Sequence, residues 1–259
     1  MPVAAGCYYF AHNLENRSRP LVILIHGAGN THLSWPADIR RLPGQRLLAL
    51  DLPGHGKSGG LGRHSIADYA RDLVNLMDTV GVYSAILIGH SMGGGIALQT
   101  ALDHPERVIG LGLVGSNARL RVSPAILEAL DNPAIIPQAV EAMVELSYGP
   151  QADASLKKLA ERMLGEVRPA VLQGDLLACN AFDVIQRLPE IHKPTLIICG
   201  TLDQMTPLRY SEAMAASLPQ AALQTIDGAG HMVMLEQPRR VANLLNVFIN
   251  GIDYIPGRS

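Results

Sequence analysis

The sequence predicts an α/β fold, a mainly parallel sheet with helices on both faces, interrupted once by a helical insertion. Short apolar runs recur along the chain and are nearly continuous rather than alternating, as strands covered on both sides are. Longer segments with apolar residues three and four apart lie between most of these runs. From Gly115 to about Pro194 the alternation stops, and only helix-like segments follow one another.

Taken in order, Cys7-Tyr8-Tyr9-Phe10-Ala11 reads as an antiparallel edge strand. The core strands are Leu21–Ile25, Arg46–Leu50, Ala85–Ile88, Val108–Val114 and Thr195–Cys199, with Ala222–Ile226 after them. Ile66 to Val80 sets Ile66, Tyr69, Ala70, Leu73, Leu76, Met77 and Val80 on one stripe, which makes it an amphipathic helix. Within the insertion, Ile126–Leu130, Ala139–Tyr148, Leu156–Leu164 and Ala170–Cys179 read as helices. Pro124, Pro133, Pro137, Pro150 and Pro169 punctuate them, since proline ends a helix or begins the next. An ordinary crossover needs far fewer residues. The chain therefore divides into a first core part (1–116), the insertion (117–192) and a second core part (193–259).

Composition bounds the function without naming it. With 259 residues, 48% of them hydrophobic, the chain can bury one large core. A net charge of -2 with no basic stripe argues against nucleic acid as a partner. Cys7, Cys179 and Cys199 are far apart, with no metal-ligand spacing, so no metal is expected and the thiols read as buried residues in a reducing compartment. The opening residues lack a basic, then apolar, leader, and no run of about eighteen apolar residues occurs, so a cytoplasmic protein without a membrane span is expected. A homodimer is compatible with the sequence, which does not fix the oligomeric state.

Chemistry gathers at the strand ends, where ligands bind in open parallel sheets. Ser91 sits in Gly89-His90-Ser91-Met92-Gly93-Gly94, directly between a strand and a helix. A G-x-S-x-G turn in that setting lifts the serine out of both elements and presents its hydroxyl. Serine needs a base to take its proton and a third group to orient the base. Asp203 follows one strand in Gly200-Thr201-Leu202-Asp203, and His231 follows the next in Gly228-Ala229-Gly230-His231. After the first core strand, His26-Gly27-Ala28-Gly29 is a glycine-rich turn. The N–H groups of Ala28 and Met92 would make a two-donor oxyanion hole. His26 reads as a brace for that turn rather than a proton shuttle. Asp51-Leu52-Pro53-Gly54-His55-Gly56-Lys57-Ser58 lacks the leading glycine of a phosphate loop and reads as a structural turn.

The order Ser91, Asp203, His231, together with these turns, resembles the α/β-hydrolase fold superfamily, over essentially the whole chain outside the insertion. The resemblance implies a serine esterase with a Ser-His-Asp triad and no cofactor. It also implies that the insertion is the helical cap that roofs the site, and that Asp203, rather than the nearer Asp227, partners His231. Relatives that dehalogenate alkanes or open epoxides use an aspartate where this chain has Ser91. Haloperoxidase relatives carry proline near the oxyanion turn, unlike Ala28-Gly29. The expected substrate is a small to medium carboxylic ester. Enol-lactone, thioester and carbon–carbon bond hydrolysis use the same triad, and a ligand-binding receptor of this fold is the alternative outside catalysis. Leu120, Ile126, Leu127, Leu130, Met143, Leu146, Met163 and Leu164 give the insertion an apolar lining, which favours a neutral acyl group. Arg119 and Arg121 would favour an anion only if they pointed inward; solvated surface charge is the simpler reading. Trp35 is read as packing.

Overall fold

A computed structural model describes residues 2–130 and 135–254. Its strands are β1 (Val3–Ala4), β2 (Cys7–His12), β3 (Leu21–Ile25), β4 (Arg46–Leu50), β5 (Ala85–His90), β6 (Val108–Val114), β7 (Thr195–Gly200) and β8 (Ala221–Ile226). They form one eight-stranded sheet in the order β1-β2-β4-β3-β5-β6-β7-β8. The β1–β2 and β2–β4 pairings are antiparallel, and the rest are parallel.

The segment expected as an edge strand is β2, antiparallel as read but not at the edge. Ala5 and Gly6, at φ 48° and 78°, fold the chain back so that Val3 and Ala4 pair outside it. A two-residue strand carries no periodicity to read.

The continuous apolar runs are explained by burial on both faces. Leu21 through Ile25 are each 1% exposed or less. Val22, Leu24, Leu47, Ala49, Ile86 and Ile88 pack on one side with Trp35, Ile39 and Leu245, whereas Ile23, Leu48 and Leu87 pack on the other with Tyr69, Leu73 and Ile96. Neighbours along a strand thus serve opposite layers. Helices α1 (Ala37–Arg40), α2 (Ile66–Thr79) and α3 (Met92–Asp103) lie between β3 and β6 in the chain. Ser65 caps α2 by accepting the Asp68 N–H at 3.1 Å, and its hydroxyl donates to Asp68 Oδ2 at 2.7 Å.

Helices α4 (Pro124–Leu130), α5 (Ile136–Ser147), α6 (Ala154–Gly165) and α7 (Pro169–Ala181) fill the interval between β6 and β7, where only helices were expected. Pro124, Pro137 and Pro169 occupy first turns, where a missing N–H costs nothing; Pro133 lies outside the described residues. An antiparallel bridge between Arg119 and Asp183 joins the two ends of this interval. After β7 come α8 (Leu208–Ser217), then α9 (Val233–Glu236) and α10 (Pro238–Asn250) beyond β8. Among the described residues no helix is long and apolar enough to cross a membrane.

Candidate active site

Ser91 joins β5 to α3 at φ 51° and ψ -117°, a backbone region costly for any residue with a Cβ and kept only where the surroundings enforce it. Here they do. A Cβ on Gly89 would strike the Gly93 carbonyl, and one on Gly93 would strike the Ile25 carbonyl, so the turn closes only with glycine at both places. The Ser91 N–H donates to the Val114 carbonyl at 3.1 Å, and the Ser116 hydroxyl donates to the Ser91 carbonyl at 2.7 Å. The strain is held from both sides.

Asp203 and His231, from the ends of β7 and β8, meet at 2.9 Å between Asp203 Oδ2 and His231 Nδ1. A carboxylate only accepts, so Nδ1 carries the hydrogen and Nε2 is the acceptor nitrogen. Thr206, which the sequence reading passed over, donates its N–H to Asp203 Oδ1 at 2.8 Å and its hydroxyl to Oδ2 at 2.7 Å. Burial pushes the Asp203 carboxyl up, but the His231 charge and these donors outweigh it and hold it at about 2. Asp227 is exposed and takes the Thr201 hydroxyl at 3.2 Å, away from His231. The buried His90 ring lies 4.8 Å from the His231 ring; burial and that neighbour lower it to about 3, so it packs as a neutral group.

Ala28 lines the same cavity as Ser91 and His231. Met92 buries its side chain in the core, and its N–H is among the first donors of α3, which lack intrahelical acceptors. His26 braces this turn, as read: its Nδ1–H donates to the Gly27 carbonyl at 2.8 Å and its Nε2 accepts the Leu52 N–H at 3.0 Å. Burial, with His55 nearby, lowers it to about 4, which keeps Nε2 able to accept. The turn at Asp51 is structural, since Asp51 accepts from the His32 N–H, the His32 ring and the Lys57 N–H at 2.7, 2.8 and 2.9 Å.

A second group missing from the sequence reading is Asp175. It is fully buried on α7, yet it reaches the core. Its Oδ2 accepts from the Gly29 N–H at 2.8 Å and His55 Nε2 at 2.7 Å, and its Oδ1 accepts from the Tyr69 hydroxyl at 2.5 Å. The only sequence signal was an acid within the apolar Val171-Leu172-Gln173-Gly174-Asp175-Leu176-Leu177. A buried carboxylate there must find donors.

Ser91, His231, Ala28, Leu120, Met143 and Leu164 are among the walls of a cavity of about 90 Å³. Leu164 also borders an apolar cavity of about 110 Å³ with Val144, Leu156, Ala160 and Met163. The expected apolar lining is thus present in part. Ile126 instead packs against Met143 and Leu176, Leu146 is 36% exposed, because α5 turns that side to solvent, and the Leu130 side chain lies outside what the structure describes. Trp35 is fully buried under α1 and packs, as read. Among the described residues no cluster of His, Cys, Asp and Glu could hold a metal ion.

The family model for the alpha/beta hydrolase family matches this chain over residues 22–244. The chain belongs to that family and is a hydrolase. It is 33% identical over 228 residues to the "Putative carbamate hydrolase RutD" of Variovorax paradoxus (strain S110), covering 81% of this chain and 84% of that one. A solved thermophilic esterase is 32% identical, with a TM-score of 0.83 over 95% of this chain and 94% of its own. The enol-lactonase of Burkholderia xenovorans LB400 shares the fold, with a TM-score of 0.86 over 94% of this chain and 96% of its own, at 21% identity.

Proposed function

We propose that the protein hydrolyses small to medium carboxylic esters through an acyl-enzyme on Ser91. The observation that carries the reading is a serine held in a strained strand-to-helix turn on one cavity wall with His231, whose far nitrogen is bound by the buried Asp203. His231 Nε2 takes the hydroxyl proton as Ser91 Oγ bonds to the acyl carbon. The carbonyl oxygen gains charge facing the N–H groups of Ala28 and Met92, and one such donor is worth about 3 kcal/mol in the transition state. Collapse breaks the carbon–oxygen bond of the ester, and the departing alkoxide takes the proton from His231. Water then attacks the acyl-enzyme by the same steps, releasing the acid and restoring Ser91.

Residues 117–192 act as the roof over this site, supported by the cavity walls that Leu120, Met143 and Leu164 supply. The two cavities, about 90 and about 110 Å³, each hold roughly three water-sized groups, which fits short acyl chains rather than long ones. The esterase neighbour agrees with this chemistry. The three buried thiols are free, which fits a reducing compartment.

The test is kcat/KM for p-nitrophenyl esters from acetyl to dodecanoyl, with Ser91→Ala as the blank. A maximum among short or medium chains is expected, together with phosphonate labelling of Ser91. Full turnover by Ser91→Ala would refute the mechanism. Tight binding of an ester with negligible turnover would point to a receptor instead.

A further inference from the structure

The catalytic cavity has a second neighbour of very different character. A cavity of about 220 Å³ shares Arg121 and Met205 with it and is walled by Asn117, Arg119, Tyr210 and Met214 among others. The chain carries 23 Asp and Glu residues, yet among the described residues none lines either of these two cavities. Two guanidiniums do. Arg119 and Arg121 are two residues apart around the Arg119–Asp183 bridge, a spacing that puts extended side chains on one side. Arg119 is committed to Asp183, with Nη2 at 2.6 Å from Oδ2. Among the described residues the exposed Arg121 donates to a neutral group, the Asn180 carbonyl, at 3.3 Å. One carboxylate therefore faces two cations, and a positive charge is left over at the seam between the cavities.

Two other polar groups of this wall, Asn117 and Tyr210, also have donors to offer, whereas the Ser217 hydroxyl already donates to the Ala213 carbonyl at 2.9 Å. Asn117 is buried and its Oδ1 accepts the Ala118 N–H at 2.7 Å, so the end that remains is the donor nitrogen. The Tyr210 oxygen accepts from Arg209 at 3.2 Å, which leaves its own hydrogen to donate. A concave wall that carries donors and two guanidiniums against the single carboxylate of Asp183 suits an acceptor-rich anion, and a guanidinium matches the plane of a carboxylate.

We propose that the substrate is bipartite: an ester or lactone whose one arm is short and apolar, seated beside Leu164 and Met163, and whose other arm ends in a carboxylate received by Arg121. The proposal rests on the serine-hydrolase reading and narrows its substrate class. Arg121 is a specificity residue at the cavity rim and takes no part in bond making. Because it is exposed, its attraction is screened by salt and is weaker than that of a buried pair.

The test uses two matched pairs of esters, one with the carboxylate on the acyl side (monoethyl succinate against ethyl butanoate) and one with it on the alcohol side (butanoyl glycolate against ethyl butanoate). They are compared on the parent chain, Arg121→Ala and Arg121→Lys. In at least one pair the anionic ester is favoured about tenfold in kcat/KM, mainly through KM. Arg121→Ala collapses the ratio, Arg121→Lys keeps part of it, and high salt shrinks it. Equal or faster turnover of the neutral ester in both pairs overturns the proposal, as does a ratio unmoved in Arg121→Ala. If no ester is turned over and no phosphonate labels Ser91, the serine-hydrolase reading itself fails. Calorimetric titration with glutarate then decides the anion site separately: heat of binding present in the parent and lost in Arg121→Ala supports it, and no binding in the parent overturns it.

Discussion

Replacing Asp175 by Ala deletes one buried carboxylate and strips the acceptor from three donors at once: the Gly29 N–H, His55 and the Tyr69 hydroxyl. Each buried donor left without a partner costs about 1–3 kcal/mol, but the three share one carboxylate and do not add independently. Losing one member of a buried pair costs about 3–5 kcal/mol as a whole, and that is the expected loss. Against a total stability of about 5–15 kcal/mol the loss is large, and it corresponds to a Tm lower by roughly 10 °C. Asp175→Asn keeps one acceptor oxygen but turns an N–H toward donors, so it falls between the two.

Burial opposes a charge on His55, yet the hydrogen bond and charge of Asp175 raise its pKa. A raised folded value stabilises fully below the unfolded value of about 6.5, and the gain is lost as pH rises through the folded value. The Asp175→Ala deficit is therefore greatest in mild acid and shrinks in alkali. Gly29 adjoins Ala28, so a loosened turn also lowers ester turnover, by about tenfold at temperatures where the variant is still folded. Thermal melts across pH, with kcat on a p-nitrophenyl ester, measure both effects. A Tm within about 2 °C of the parent, or a deficit that grows with pH, would show that the carboxylate is not the brace described.

Three further outcomes are expected. Asp203→Asn cripples ester turnover by orders of magnitude, about 10⁴ where the imidazole tautomer is lost, while Asp227→Asn changes it little; the reverse ranking in steady-state assays would reassign the acid. His26 and His90, lowered by burial to about 4 and about 3, bind protons in the unfolded chain first, so stability falls as pH drops below about 6.5, by up to about 1.4 kcal/mol per pH unit for each. A urea midpoint that is flat or rises from pH 7 to pH 5 would contradict this. Cys179 borders the cavity that Ser91 and His231 line, but burial and the nearby Asp175 push its thiol pKa up, so maleimide leaves it unmodified at neutral pH in the native protein and reacts once urea unfolds the chain. Rapid native labelling at Cys179 would show an open path to it.

What the sequence disclosed was whatever local physics enforces. The strands were legible because burial on both faces demands uninterrupted apolar residues, and Ser91 because its turn excludes every side chain at Gly89 and Gly93. Asp203 and His231 could be picked out because each follows a strand that announces itself. Asp175 could not, since its partners lie 146, 120 and 106 residues away and only the folded sheet brings them near. Arg119 and Arg121 looked alike, and Asp183, 64 residues on from Arg119, is what separates them. Leu146 and Met143 belong to one apolar pattern, and only the packing of α5 decides which of them meets the cavity.

His231 hangs from β8, the last strand of the sheet, which pairs with β7 alone and of whose residues only Ile226 is buried. Ser91, by contrast, hangs from β5, which is flanked by β3 and β6 and wholly buried. Margins open at lower free energy than centres do. The histidine and the serine are thus moored to parts of the sheet with different resistance to opening. On warming, activity fades while most of the sheet persists, and the inactivation midpoint falls below the midpoint of far-UV melting. On cooling, the last strand to re-zip restores function, so recovered activity counts molecules whose sheet has closed to its margin.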